Sequence, residues 1–415
     1  MAELGYRTAG ESHGPALTVL IEGLPAGLTL DMDLINAELR RRQGGFGRGE
    51  RMAIEHDTVE VLGGVRRGRT LGSPVVLQIR NRDVRIDTAP PVHRPRPGHA
   101  DFAGAMKWLT TDCRDVLERA SARDTAARVA AGAATRSLLR EFGVSCVGFV
   151  VEIAGVHANV LEDADPADLT TRRDANDLYT PDADAVEPMR AAIQTAARDG
   201  DTVGGVVEVR VFGLPPGLGT CVTWSERLDG RLMQAVGSIP AIKGVEIGLG
   251  FDAARRRGRE VHDALYLDAA ARDADSAGFV RRTNDAGGLE GGMTNGMPVV
   301  VRAAMKPIAT LRRGLASVNL ETGQPERSDY ERSDVCAVPA ASVVAENVVA
   351  FELTRAWLAK FGGDTLYEVR AAYEAYNAAR RRLAPPPAAG RSAPPSAPYG
   401  ARSFYQCIGR PSPPP

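Results

Sequence analysis

The stretch from Asp115 to Glu141 constrains this chain more than any other. It reads as one long helix ending before Gly143, and Ala120, Ala122, Ala126, Ala127, Ala130, Ala131, Gly132, Ala133 and Ala134 leave few bulky side chains on any face. A surface helix needs an apolar stripe and a polar side. A helix this small all round is expected at the centre of the fold, with neighbours packed close against it. Another helix is expected over 33–42, where an acid opens the segment and bases close it, as the helix dipole favours. Two more are expected over 340–361 and 364–383, separated by Gly362-Gly363. The β-branched runs between them do not alternate regularly with helices, so the pattern predicts an α+β fold with antiparallel sheets rather than a doubly wound one.

An internal repeat points to a duplicated sheet unit. Gly68-Arg-Thr-Leu-Gly-Ser-Pro-Val-Val and Gly292-Met-Thr-Asn-Gly-Met-Pro-Val-Val share the pattern GxTxGxPVV, and Gly200-Asp-Thr-Val-Gly-Gly-Val-Val is a looser third copy. Each is a glycine turn leading into a β-branched run. In the first two, proline takes a first strand position, where no ladder donor is needed.

The chain has 415 residues, 44% of them hydrophobic and 25% charged, enough for one large core or two ordinary ones. No apolar run reaches the roughly 18 residues of a membrane span, and the start lacks the basic and apolar stretches of a secretory signal. A soluble cytoplasmic protein is expected. Cys113, Cys146, Cys221, Cys336 and Cys407 never form CxxC, and the six histidines are dispersed. Neither a disulfide framework nor a metal site is expected. Residues 1–383 read as one globular domain, whereas residues 384–415 hold ten of the 27 prolines and read as a disordered tail.

The net charge of −1 argues against a general nucleic-acid binder, yet residues 40–51 carry five arginines against the single acid Glu50. A guanidinium matches phosphate or carboxylate oxygens two at a time, so a local anionic ligand is expected. The rival class is an arginine/glycine RNA-binding segment, although such segments repeat and run long.

Six segments carry candidate chemistry. Gly10-Glu-Ser-His-Gly places His13 between glycines at the mouth of an apolar strand. Arg42-Gln-Gly-Gly-Phe-Gly-Arg offers a glycine backbone that could wrap an anion. His93-Arg-Pro-Arg-Pro-Gly-His-Ala-Asp sets His99 beside Asp101, a carboxylate able to orient the ring. Arg119 and Arg123 stand four apart on the long helix, open to a ligand or to ion pairs with Glu118 or Asp124. From Asn284 to Thr310, clustered glycines read as backbone placed against a ligand, with Lys306 available for a phosphate; neither GxGxxG nor a P-loop is present. Arg332 and Asp334 offer a cation and a base ahead of an apolar helix.

Gly10-Glu-Ser-His-Gly, Arg119-Ala-Ser-Ala-Arg-Asp-Thr and Arg332-Ser-Asp-Val through Glu346 together resemble, in order and separation, the three signature segments of chorismate synthases. GGFGRG, PRPGHAD, AIKGVEIG, GGLEGGMTNG and MKPIAT also match that family, and the resemblance runs from residue 4 to about 383. It implies a layered sandwich of antiparallel sheets around central helices, assembled as a homotetramer. It implies the anti-1,4-elimination of phosphate from 5-enolpyruvylshikimate 3-phosphate to give chorismate. Reduced FMN would assist, with NADPH only the source of reducing equivalents through an external flavin reductase. The resemblance assigns His13 to protonating the leaving phosphate, His99 to the flavin N1 side and Asp334 to the proton at N5. Arg42 and Arg48 would hold the substrate, at positions also described as NADP-binding. Arg119, Ala120, Ser121, Pro240, Ala241, Gly291, Lys306, Pro307, Ile308, Ala309, Thr310 and Arg332 would hold the flavin. Two departures stand out: Ala309 replaces a frequent hydroxyl, and Ser333 a frequent histidine. Another FMN- or phosphate-binding enzyme on the same scaffold, and a non-enzymatic arginine-rich RNA binder, are the remaining alternatives.

Overall fold

The computed structural model describes residues 3–49, 55–268, 271, 276–331 and 333–383. The proline-rich segment, Arg332 and Cys407 lie outside them. Two antiparallel sheets face each other across a layer of helices. The first holds β1 (Gly5–Ala9), β2 (Ala16–Glu22), β3 (Val59–Gly63) and β4 (Val75–Arg80) in the order β1-β2-β4-β3. The second holds β5 (Ser145–Ile153), β6 (Val156–His157), β7 (Gly205–Phe212), β8 (Ile242–Ile247) and β9 (Val299–Met305) in the order β8-β9-β7-β5-β6. The helices are α1 (Met32–Gln43), α2 (Asp101–Trp108), α3 (Arg114–Ala120), α4 (Thr125–Arg140), α5 (Pro166–Asp174), α6 (Ala183–Asp199), α7 (Leu228–Gly237), α8 (Val338–Lys360) and α9 (Leu366–Arg381).

The first sheet alternates, as a sheet with one buried face must. Leu17, Val19 and Ile21 on β2 stand opposite Ile79, Leu77 and Val75 on β4, and all six are buried. They pack on α4, whose back lies against α8; α8 in turn covers β5 and β7. The small side chains of α4 do what the sequence implied, because a Cβ at Gly132 would stand 2.1 Å from the carbonyl oxygen of Asn347 on α8. The expected antiparallel sheets around central helices are therefore present. Burial also explains the thiols: those of Cys146 and Cys336 are pushed up to about 12, and both pack as small core residues.

The helix expected over 115–141 is broken. Ser121 is extended (φ −65°, ψ 145°), and its hydroxyl accepts the backbone N–H of Arg123 at 3.3 Å. One tight turn over Ala122–Asp124 follows before α4 begins. A serine that satisfies a neighbouring N–H offers the chain an exit from the helix, and propensity alone does not show it. Arg119 and Arg123 consequently do not share a helical face.

The duplication extends beyond the nine-residue pattern. β2 runs into Gly23-Leu-Pro-Ala-Gly-Leu, and β7 into Gly213-Leu-Pro-Pro-Gly-Leu. Thr70 donates to the carbonyl of Pro25 (2.5 Å) and accepts from Leu28 N (3.0 Å). Thr294 does the same with Pro215 (2.7 Å) and Leu218 (2.9 Å). Each repeat forms a short hairpin, at Arg67-Gly68 and Gly291-Gly292, with positive φ at both turn residues, the geometry of a type I′ turn. Then Pro74 or Pro298 leads into the strand. The series β1-β2-β4-β3 thus corresponds to β5-β7-β9-β8. The looser third copy differs: Gly200 (φ +70°) caps α6 and leads directly into β7.

Charge is buried between the two halves. Glu346 on α8, fully enclosed, accepts from Arg41 (2.8 Å), Arg173 (3.3 Å) and Gly148 N (3.0 Å) and pairs with Arg136 at 2.9 Å. Burial pushes this carboxyl up, but Arg136, Arg41 and Arg173 outweigh it and hold it at about 2. Glu38 pairs with Arg41 (2.7 Å) and Arg136 (3.0 Å).

Candidate active site

A cavity of about 510 Å³ opens where loops of both halves meet. From the first half come His13, Arg42, Arg48, Asp83, Arg85, Arg96, His99, Ala120, Ser121 and Arg123; from the second come Pro240, Ala241, Lys306 to Thr310 and Asp334. Most residues singled out from sequence therefore converge, although they span more than three hundred positions.

His13 sits in the β1–β2 loop, 5% exposed. Its Nδ1 lies 2.8 and 3.0 Å from the two carboxylate oxygens of Glu118, and its backbone N–H donates to the same carboxylate at 2.9 Å. Asn81 ties the loop by donating to the carbonyls of Gly14 (2.7 Å) and Glu11 (3.1 Å). Burial pushes the Glu118 carboxyl up, but its bonds to His13 outweigh this and hold it below the usual carboxylate range. The second histidine has the same kind of partner. His99 Nδ1 lies 2.5 Å from Asp101, which also accepts from Arg96 Nε (2.8 Å) and Nη2 (3.0 Å). Burial opposes ionisation of Asp101, yet His99 and Arg96 win, and its carboxyl lies well below the ordinary value. Arg96 reaches on to Thr310 Oγ1 at 2.8 Å, joining the two halves.

Arg42 closes α1, its Nε donating to Thr125 (2.9 Å) and its Nη1 to Asp57 (3.3 Å). Asp57 takes both oxygens to Arg123 Nη1 at 2.7 Å. Burial, with Arg123 and Arg48 adding to it, pulls Arg42 down to about 9 against the pull of Asp57; it stays charged at neutral pH. Arg48 pairs with Asp334 at 2.7 Å, and Gly49 N–H donates to the same carboxylate at 2.7 Å. The glycines between these arginines do not wrap the cavity. Gly47 (φ +91°) lies against Cys336, where a Cβ would come within 2.9 Å, and seats the loop on the start of α8.

The second half supplies an apolar floor. Ala241 takes a positive φ (+68°) before β8, and its carbonyl accepts from Lys306 N at 3.0 Å. Pro307, Ile308 and Ala309 continue that floor, and the Lys306 ammonium donates to the Gly98 carbonyl. Arg119 points away from the cavity, donating to the carbonyls of Gly10 (2.9 Å) and Thr8 (3.3 Å) and pairing with Asp124 at 3.0 Å. Of the two readings open for that pair, Arg119 takes the ion pair. Gly291 forms an exposed hairpin tip outside the lining; the glycines around it serve the turn and close backbone packing. Arg332 lies outside the described residues.

Sequence reasoning missed Glu118, Asp57, Asp83 and Arg85 as site residues; Arg123, left open between a ligand and an ion pair, pairs with Asp57 and also lines the cavity. Glu118 is 105 positions from His13, and no spacing rule joins them. Arg96 and Asp101 stood within a segment already marked by its histidines. Among the described residues, six Lys or Arg side chains line the cavity against three carboxylates. Arg123 Nη2 is buried there without a hydrogen bond, 3.8 Å from the Glu55 carboxylate. The cavity can thus bind a polyanion, present two carboxylate-oriented histidines to it, and lay a flat apolar group on its floor.

The sequence profile of the family described as chorismate synthase matches residues 4–358. The chain is 54% identical to the chorismate synthase of Geobacter sulfurreducens over 388 residues, covering 90% of this chain and 98% of that one. It is 54% identical to that of Desulforudis audaxviator over 379 residues, covering 88% and 95%. A solved chorismate synthase crystal structure, 42% identical, superposes with a TM-score of 0.75 over 92% of this chain and 99% of that one. With its signature segments gathered around one cavity and a match of this extent, the chain belongs to the chorismate synthase family.

Proposed function

We propose that this chain eliminates phosphate from 5-enolpyruvylshikimate 3-phosphate to give chorismate, with reduced FMN bound in the cavity. The observation that carries this reading is the meeting, in one cavity, of an arginine cluster, two histidine–carboxylate pairs and an apolar floor. The substrate bears one phosphate and two carboxylates, which Arg42, Arg48 and Arg123 are placed to hold. Each guanidinium is already oriented by Asp57 or Asp334, so little ordering is left for binding to accomplish.

The residues also suit a flavin. Ala120 to Ala122, Pro240, Ala241 and Pro307 to Ala309 offer flat apolar walls, while Lys306 and Arg123 Nη2, which makes no hydrogen bond, offer donors. At Gly98 a Cβ would stand 3.2 Å from the Lys306 ammonium, so glycine keeps that donor accessible. Reduced FMN supplies electron density for a step in which the C6 hydrogen is not acidic, with no net redox change. His13 Nε2 delivers a proton to the leaving phosphate, with Glu118 fixing the ring through Nδ1. Asp334, held by Arg48 and Gly49 N–H, would be the base that accepts a proton, and His99, oriented by Asp101, would help to hold the flavin on its N1 side. The working form is a homotetramer in the cytoplasm, supplied with reduced flavin by a separate NADPH-dependent reductase; no helix among the described residues is long and apolar enough to cross a membrane.

The test is phosphate release from 5-enolpyruvylshikimate 3-phosphate under anaerobic conditions with photoreduced FMN. Chorismate and phosphate are expected in equal amounts, only with the flavin. Folded protein that releases neither would overturn the reading.

A further inference from the structure

The two histidines of the cavity are held differently, and the difference falls on a residue that no motif marks, Arg85. At His99 the neighbouring guanidinium is locked: Arg96 is 7% exposed and bound to both Asp101 oxygens and Thr310. At His13 the guanidinium is loosely held. The Arg85 side chain is one-third exposed, pairs with Asp83 at 3.2 Å, and places Nη2 3.1 Å from His13 Nε2.

A guanidinium only donates, so Nε2 in this arrangement presents a lone pair. Nδ1 then carries the ring's proton toward Glu118. That is the neutral tautomer, with no proton on the nitrogen that must serve the leaving group. The charged groups facing the ring are Glu118 from α3, with Arg114 3.7 Å behind it, and Asp83 and Arg85 from the segment after β4. Asp83 lies 3.7 Å from Nε2. With Arg85 moved aside, the charges left in contact with His13 among the described residues, Glu118 and Asp83, are negative and favour a proton on both nitrogens.

We propose that Arg85 is a positioning residue that keeps His13 neutral until the substrate's phosphate draws the guanidinium away, so that His13 takes up its proton together with the substrate. On binding, one proton passes from solvent to Nε2. As the C3–O bond breaks and its electron pair leaves with the phosphate, that proton passes to a phosphate oxygen, and His13 returns to the Nδ1–H form. The inference rests on the functional reading above, and it makes the acid available only when there is a leaving group to receive it.

The experiment follows the nitrogen resonances of ¹⁵N-histidine-labelled full-length protein near neutral pH, with calorimetric binding of 5-enolpyruvylshikimate 3-phosphate in two buffers of different ionisation enthalpy. Wild type is expected to show His13 as Nδ1–H alone, to become protonated on both nitrogens when the substrate is added, and to take up about one proton per site. Arg85→Gln is expected to show the doubly protonated ring without substrate and less than about half of that uptake. Arg85→Lys, which keeps the charge, should restore much of the wild-type pattern. Substrate binding by wild type without proton uptake, or His13 resonances identical in all three proteins, would overturn the latch. Wild-type phosphate release is measured alongside: its absence refutes the functional reading, whereas release with unchanged His13 resonances refutes the latch alone.

Discussion

The two halves of this molecule are built on one plan and used for different things. Both carry a strand that runs into Gly-Leu-Pro, a buried threonine that closes that turn, a type I′ hairpin, and a proline that starts the next strand. In both, the chain leaving that strand enters the cavity, at Asn81 to His99 after β4 and at Lys306 to Thr310 after β9. Among the described residues, the first half delivers His13, His99 and the five cavity arginines; the second delivers the floor from Pro240 to Thr310 with one lysine, then Glu331 and Asp334. The frame is thus indifferent to the chemistry hung on it. Both histidines and most of the anion-binding cations sit in one copy, the platform and the base Asp334 in the other.

The comparison can be broken most directly at His13. His13→Ala is expected to lower the rate of phosphate release by about 10²–10⁴-fold with flavin affinity unchanged; an unchanged rate with weakened flavin binding would erase the division between halves. Gly132→Leu attacks the seam, where even a Cβ would meet the Asn347 carbonyl at 2.1 Å. A loss of roughly 3 kcal/mol in denaturant unfolding is expected. The matched pair Thr70→Val and Thr294→Val should each cost about 1–3 kcal/mol, because each leaves a buried carbonyl and N–H unpaired. Costs that differ by more than about 1 kcal/mol would show the two turns to be alike in shape only.

Asp101→Asn tests the acid sensitivity that the charged half carries. Its carboxyl is depressed in the folded state, so its stabilisation is complete above the unfolded value near 3.9 and drains as pH falls through that value toward the folded one. The unfolding gap between wild type and Asp101→Asn should therefore shrink below about pH 4, and a gap that widened there would contradict the assignment. Ala309→Ser, on the platform, is expected to tighten flavin binding by no more than about tenfold, the worth of one hydrogen bond, read by fluorescence titration.

Much of this was legible in residues alone. The small side chains of α4 foretold its central place, and the segments around His13, Arg42, His99, Lys306 and Asp334 converge as the resemblance implied. What escaped has physical causes. The break at Ser121 is a local side-chain bond set in an otherwise helical pattern, and it turns Ala120 to Arg123 toward the cavity. Glu118 was overlooked because a carboxylate partner is chosen in three dimensions, far along the chain from the ring it holds. The glycines from Gly287 to Gly296 look like a ligand loop because tight turns and ligand contacts ask for the same freedom of backbone.

The Glu346 cluster decides whether either half could exist alone. Arg41 and Arg136 belong to the first copy, Arg173, Gly148 and Glu346 to the second, and the carboxylate is enclosed by all of them. Severed between the copies, each fragment would bury charges without partners or leave its core open to water, at a cost of several kcal/mol. The boundary visible in the repeat is therefore no boundary for folding. A chain still emerging from synthesis with only its first copy complete has its histidines and arginines in hand, but nothing yet to close them over.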